Sequence, residues 1–362
     1  MEKAKVIHVL YSGLGGHGNV VFPLLETEFG NKHENRVVFY GVESVLEGYK
    51  SNCDHLAIPY HAIEKKPKRY LSAFNQFKRI LAQEKPNTIF IHNSELIIPA
   101  SKYCKKNPDC QVIYIEHENH ASKSRIIKTM SRYAGLRASG VVCLSEAYAE
   151  TLKDNFRIKV PVHVIPNGVD TEKYTPNLNR SNSPVIFGMA SRMIPGKDHP
   201  TLLKAFKKVI EKYPTTELHI AGEGDTFSSV KKLATDLELQ DNIKFLGLLN
   251  VTEMLAFYNK ISIYVLATKS ENLSTALLQS MACELPTITS DIENNRLLIT
   301  PNETGWLYQE GNVEDLHKQM CACIESLQTK SNIPKPARAK IISHYSTAQL
   351  FLKYDALLTQ NN

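Results

Sequence analysis

The sequence predicts an α/β protein built from two doubly wound domains. Three observations carry that expectation. Short apolar runs alternate with helical patterns along the chain, the runs show little polar alternation, and a polar stretch near the middle interrupts the rhythm before it restarts. Strands covered by helices on both faces lose the in-out alternation of a half-exposed sheet, so continuous apolar runs in this rhythm point to a parallel sheet. At 362 residues the chain also exceeds one core of ordinary size.

In the first half, "KVIHVLYS" (5–12), "RVVFYGV" (36–42), "TIFIHN" (88–93), "QVIYIEH" (111–117), "GVVCLS" (140–145) and "PVHVIPNGV" (161–169) read as strands. A helix over 70–83 ends at Lys85-Pro86-Asn87, where the proline cannot continue it. "GVDTEKYTPNLNRSNSP" (168–184) has the composition of a linker. Strands then recur at 185–191, 216–222, 243–247, 261–267 and 286–290, with helices at 199–212, 226–237, 252–258 and 274–283. A last helical stretch, about 345–357, lies beyond "NIPKPARAK" and is expected to pack back onto the first half. The expected domains are 1–167 with a C-terminal helix at about 345–362, and 168–344. Ligands of such sheets bind at the carboxyl ends of the strands, so the loops after the strands should carry the chemistry.

Composition narrows the classes. No apolar run approaches the roughly 18 residues that a membrane-spanning helix needs. The N-terminus passes into a strand without the apolar segment of a secretory signal, so the expected compartment is the cytoplasm. The seven cysteines are odd in number and none are spaced C-x-x-C, which argues for reduced thiols over a disulfide framework or a zinc site. Lys and Arg exceed Asp and Glu by 7 over residues 1–165 and fall short by 1 over the remainder. The excess concentrates in 64–79 and in "ASKSRIIKTMSRYAGLRASG" (121–140), which contains no acid. There Ile126, Ile127, Met130, Tyr133 and Ala134 recur at helical spacing. Such a helix is either a solvated face over a core or a surface for an anionic membrane. The basic residues do not interleave with stacking aromatics, so no nucleic-acid partner is expected.

The first strand-to-helix loop, "YSGLGGHGN" (11–19), carries glycines at 13, 15, 16 and 18. They permit a tight turn or the approach of backbone to a phosphate at a helix N-terminus. The spacing is not G-x-G-x-x-G, and Glu43 is the sole acid near the end of the second strand, so a nicotinamide dinucleotide fits poorly. In the second half "SRMIPGKDHP" (191–200) sets Arg192 and Lys197 about a Pro-Gly turn, which suits a diphosphate whose charge must be neutralised. "AGEGD" (221–225) supplies Gly222 and Gly224, and "FLGLLN" (245–250) supplies Gly247. In "SENLSTALLQSMACELPTI" (270–288), Glu271 precedes a helix capped by Ser274 or Thr275, and Gln279 follows about a turn later. The plain alternative is a loop acid and a solvent-facing amide.

Taken together, Arg192, Lys197, "GEG" (222–224), "FLG" (245–247), an acid at Glu271 with Gln279 eight residues on, and "MACELP" (281–286) resemble the retaining glycosyltransferases of family 4. The resemblance runs over most of the chain and is strongest from about 161 to 309. It implies the GT-B fold, two Rossmann-like domains facing across a cleft, and a sugar nucleotide used as substrate without cofactor or bound metal. It assigns the donor diphosphate to Arg192 and Lys197 and the donor sugar hydroxyls to Glu271. The backbone of Asn272, Leu273, Ser274 and Thr275 would wrap sugar and phosphate, and Gln279 stands where the family's second Glu meets the ribose. Gly15 and Gly16 would face the diphosphate from the first domain. His117, at a strand end in "YIEHENH", matches the family's sugar-side histidine, with His120 as competitor, and His120, Glu118 and Lys123 fall on the acceptor side.

An amide at 279 keeps one acceptor and adds a donor, so the departure should cost about 1 to 2 kcal/mol in donor affinity. No D-x-D occurs, and Asp291 and Glu293 in "SDIEN" are explained by a turn. The implied reaction is sugar transfer, UDP-sugar favoured, to a glycan or lipid-linked glycan in surface polysaccharide or lipopolysaccharide synthesis, at the cytoplasmic face of the membrane. The rivals are a non-catalytic GT-B partner subunit, suggested by Gln279, and a sugar-nucleotide epimerase of the same fold.

Overall fold

The computed structural model describes residues 3–13, 17–66, 70–117, 125–329 and 333–359. The chain divides into two compact units, Met1–Gly168 with Thr347–Asn362, and Val169–Ser346. Each is a parallel sheet with helices on its faces.

The first unit holds β1 (Lys5–Tyr11), β2 (Glu34–Gly41), β3 (Tyr60–Glu64), β4 (Thr88–Ile91), β5 (Gln111–Ile115), β6 (Gly140–Cys143) and β7 (Val162–Val164). They pair in parallel in the order β3-β2-β1-β4-β5-β6-β7. Alternate residues of β1 feed two cores. Ile7 and Val9 join Phe77, Leu81 and Ile97 on one face, and Val6 and Leu10 join Val21, Leu25 and Phe90 on the other. The helix Thr347–Thr359 completes the second core through Leu350, Tyr354 and Leu357. The Tyr354 ring meets Phe90 edge-on at 5.5 Å, and Asp355 accepts from Lys32 at 2.6 Å and pairs with His33 at 3.1 Å.

The second unit holds β8 (Ile186–Ala190), β9 (Glu217–Ala221), β10 (Ile243–Gly247), β11 (Ile263–Leu266), β12 (Thr287–Ser290) and β13 (Trp306–Tyr308). The order is β10-β9-β8-β11-β12-β13, again all parallel. In both sheets the connection reverses direction once, between β1 and β4 and between β8 and β11. A crevice opens at such a reversal because neighbouring loops run to opposite faces.

Three elements depart from the sequence reading. β3 and β13 were not anticipated, since one is a half-exposed edge strand and the other spans three residues. "NIPKPARAK", given no element in the sequence reading, opens the helix Pro334–Tyr345 with proline in its first turn. The amide hydrogen that proline lacks has no intrahelical acceptor at that position, so the ring costs little there.

That helix carries Arg338, whose guanidinium donates to the carbonyls of Thr171 at 3.0 Å, Tyr174 at 2.9 Å, and Ala282. It ties the polar stretch after residue 168 to the end of the helix Thr275–Ala282. Replacing Arg338 with Met removes charged donors from three carbonyls and should lower the stability of this unit by about 2 to 4 kcal/mol. Urea unfolding followed by the fluorescence of Trp306, the chain's single tryptophan, measures the shift.

Candidate functional site

In the second unit the loops after β8 and β11 meet at the reversal point. Asp198 N–H donates to the Ala267 carbonyl at 3.0 Å, and Lys269 N–H and the Thr268 hydroxyl donate to the Gly196 carbonyl at 2.9 and 3.1 Å. Asp198 then caps the helix His199–Lys212, accepting from the Thr201 N–H and hydroxyl at 3.4 and 2.7 Å. His199 lies buried beneath, with Nδ1 3.0 Å from the Lys197 carbonyl, and burial lowers its pKa. So fixed, Lys197 forms an ion pair with Glu271 and directs Nζ to the Thr268 hydroxyl at 3.5 Å. Only 13% of the Lys197 side chain and 18% of the Glu271 side chain are exposed, so the pair is shielded from bulk water.

The chain after Glu271 is held as firmly. Asn294 donates to the Glu271 carbonyl at 2.7 Å, and Asn272, Leu273 and Ser274 are buried. Ser274, not Thr275, caps the helix Thr275–Ala282, accepting from the Leu277 N–H at 3.3 Å. The first-turn N–H groups of such a helix have no intrahelical acceptor and carry its partial positive charge. An ammonium, a carboxylate and a capped helix N-terminus therefore lie together in one unit.

Other expected residues take different positions. Arg192 is exposed and makes no ion pair among the described residues. Gln279 is half-buried, and its Oε1 accepts from the buried Tyr258 hydroxyl at 3.0 Å. The glycines do work that sequence spacing could not show. Gly222 and Gly224 adopt φ of 125° and 148°, and a Cβ would stand 1.9 Å from the Ser191 carbonyl oxygen and 2.4 Å from that of Met193. Met193 N–H donates to the Glu223 carbonyl at 2.8 Å, and Gly222 N–H to the Gly247 carbonyl at 2.7 Å. These glycines thus let three strand-end loops stack backbone on backbone.

The first unit gathers imidazoles at its own reversal point. His17 precedes the helix Gly18–Leu25, His92 follows β4, and His117 lies two residues past β5. His92 Nδ1 and His117 Nε2 are 2.7 Å apart with the rings stacked at 5.0 Å, and His17 stacks on His117 at 4.7 Å. Burial, with His117, His17 and His8 nearby, holds His92 well below the usual histidine pKa. His8, inside β1, stacks on Phe90 at 5.2 Å and pairs with Asn35 at 3.3 Å, and burial pushes its pKa down to about 4. Sequence reasoning found His117 and missed His8, His17 and His92. For His8 and His92 the available signal was histidine within or just past an apolar run.

Gly15, Gly16, Glu118, His120 and Lys123 lie outside the described residues. The flanking glycines answer to packing: a Cβ at Gly13 would overlap the Glu43 carboxylate, and one at Gly18 would stand 2.4 Å from the Tyr49 ring. The basic segment forms the helix Arg125–Gly135, and of its apolar positions Ala134 joins the core while the larger side chains stay outside it. Ile126 is 74% exposed, Ile127 and Tyr133 are exposed too, and the buried positions are Ser131, Ala134 and Gly135. Among the described residues no cluster of three or more His, Cys, Asp or Glu could hold a metal ion, and no helix is long and apolar enough to cross a membrane.

Two Rossmann-type units, one with a shielded lysine-carboxylate pair before a helix N-terminus, define the class by architecture. Comparison with known proteins makes this specific. The family "Glycosyltransferase Family 4" matches residues 14–173 and "Glycosyl transferases group 1" matches residues 170–340. The chain belongs to these family-4-type glycosyltransferases of the GT-B fold. An uncharacterized glycosyltransferase of Haemophilus influenzae is 23% identical over 77% of this chain and 76% of its own length. An Escherichia coli UDP-Gal:alpha-D-GlcNAc-diphosphoundecaprenol alpha-1,3-galactosyltransferase is 24% identical over 57% of this chain and 54% of its own length. Several other curated relatives are matched over only 41% to 60% of their length. Among solved structures, Anabaena HepE in complex with UDP and glucose superposes with a TM-score of 0.84 at 16% identity, covering 99% of this chain and all of that one.

The histidines of the first unit set an acid limit. His8 is held neutral in the folded chain down to about pH 4, whereas an unfolded histidine takes a proton near its ordinary value of 6.5. The unfolded state therefore binds the extra proton between these values, and stability present at pH 7 is lost as pH falls from about 6.5 to about 4. His8 accounts for about 3 kcal/mol of that loss, and His92 adds to it in the same direction. Urea midpoints of the first unit measured from pH 7 to pH 4 should fall over this window, with a shallower fall in His8→Asn.

Proposed function

We propose that the chain moves a sugar from a UDP-sugar to a hydroxyl of a glycan or lipid-linked glycan in bacterial surface polysaccharide or lipopolysaccharide synthesis, with retention and without cofactor or metal. The observation that carries the reading is the shielded Lys197–Glu271 pair before the helix Thr275–Ala282. A diphosphate arriving there takes the ammonium and the first-turn N–H groups, and Glu271 is released to accept from sugar hydroxyls. The UDP and glucose bound to the Anabaena protein and the lipid-diphosphate acceptor named for the Escherichia coli relative support the same substrate classes.

In this reaction the bond from the anomeric carbon to the diphosphate oxygen breaks, and the negative charge left on the diphosphate is met by Lys197, Arg192 and the helix N-terminus. The acceptor oxygen bonds to the anomeric carbon on the face the diphosphate leaves, and its proton passes to the departing diphosphate. No protein base is required. His117 contacts the sugar or the acceptor. With its Oε1 engaged by Tyr258, Gln279 meets the ribose through its NH₂ group, a neutral donor where the family has a carboxylate.

Incubation with a panel of UDP- and GDP-sugars should release nucleotide with one of the UDP-sugars. Lys197→Ala should cut kcat/KM by about 100-fold or more, and Gln279→Glu should lower the donor KM by about fivefold. Full activity in Lys197→Ala sinks the assignment. An isomerised sugar would instead mark an epimerase, and binding without turnover a partner subunit.

The exposed apolar side of the helix Arg125–Gly135 favours an acceptor at a membrane surface. Arg125, Lys128, Arg132 and Arg137 lie along this segment with no acid among them. An apolar pocket of about 250 Å³ opens beside it, walled by Tyr70, Phe74, Ile98, Met130 and Tyr133. Apolar side chains that enter the interface, backed by cations worth about 1 kcal/mol each near anionic lipid, give reversible peripheral binding at the cytoplasmic face. The protein should float with phosphatidylglycerol vesicles and not with phosphatidylcholine, and Ile126→Glu with Ile127→Glu should weaken binding about tenfold or more. Flotation unchanged by these substitutions or by lipid charge excludes this surface.

A further inference from the structure

The structure assigns His92 as the positioning residue that fixes the tautomer of His117, resting on the reading that His117 serves the sugar-transfer site. His92 Nδ1 and His117 Nε2 are 2.7 Å apart, so one of the two carries the proton between them. The environment of His92 decides which. Its Nε2 is buried and has no hydrogen-bond partner among the described residues. If His117 donated, neutral His92 would carry its own proton on Nε2, leaving a buried N–H unsatisfied. If His92 donates from Nδ1, its Nε2 is a bare lone pair, and a buried unpaired donor is the rarer and costlier of the two. A third possibility, protonation of both His92 nitrogens, would bury a cation among His8, His17 and His117.

His92 therefore donates and His117 accepts through Nε2, so neutral His117 carries its proton on Nδ1. Free imidazole side chains exchange between the two tautomers, whereas a hydrogen bond at one nitrogen selects the form carried at the other. The same logic holds a metal-ligating histidine by its outer nitrogen. For a sugar-transfer site the outcome is a His117 that carries its N–H on Nδ1, a donor of the kind that meets a hydroxyl or phosphate oxygen. His17 stacks on the same ring at 4.7 Å and limits its rotation.

Histidine-selective ¹⁵N labelling with long-range ¹H–¹⁵N correlation spectra at pH 8 tests this directly. The His117 signals are identified by their loss in His117→Gln. The wild type should show His117 with a protonated Nδ1 and a bare Nε2. His92→Leu should convert it to a tautomer mixture, and His92→Asn, whose amide can place an N–H near the position of Nδ1, should restore the wild-type pattern. A His117 protonated on Nε2 in the wild type overturns the assignment even if His92→Leu does not fold, and so does an unchanged tautomer in a folded His92→Leu. Absence of sugar transfer from every wild-type donor mixture would refute the transferase reading and leave the tautomer measurement to stand by itself.

Discussion

The second unit depends on the backbone stitching of the loops that leave β8, β9 and β11. Met193 N–H bonds to Glu223, Asp198 N–H to Ala267 and Lys269 N–H to Gly196, so the segment from residue 191 to 198 is held along both sides. Lys197 is thereby brought to Glu271, 74 residues away in sequence. Both side chains are mostly withdrawn from water. A carboxylate beside the ammonium balances its charge within the fold.

The two units repeat one topology and fill its reversal point with different chemistry. In the second unit it carries a lysine-glutamate ion pair and a helix terminus; in the first it carries imidazoles, of which His8 and His92 have their pKa lowered by burial. A parallel sheet sets the stage for both because the strands end together on one edge and deliver their loops to a common place.

Much of this was legible in the chain. The strand-helix rhythm, the polar stretch after residue 168, and the placing of Lys197 and Glu271 in loops that follow strands can be read from local pattern, because periodicity and strand-end loops are local properties. β3 was hidden because an edge strand has one neighbour and needs few apolar residues. The helix at Pro334 was hidden because proline breaks a helix interior and starts a helix equally well, and the two cases differ only in where the preceding chain goes.

What the sequence determined by itself is the inventory: which loops follow strands, which carry cations and glycines, and which helix begins with a capping serine. What only the tertiary structure decided is partnership. Gly222 and Gly224 look like phosphate-binding glycines until the Ser191 and Met193 carbonyls are seen against them. Gln279 looks solvent-facing until the Tyr258 hydroxyl is found on its oxygen, and His92 is an ordinary buried histidine until His117 stands 2.7 Å away. Partners far apart in sequence are fixed by how strands are ordered in the sheet, and the free energy that orders them is summed over the whole core rather than written in any local segment.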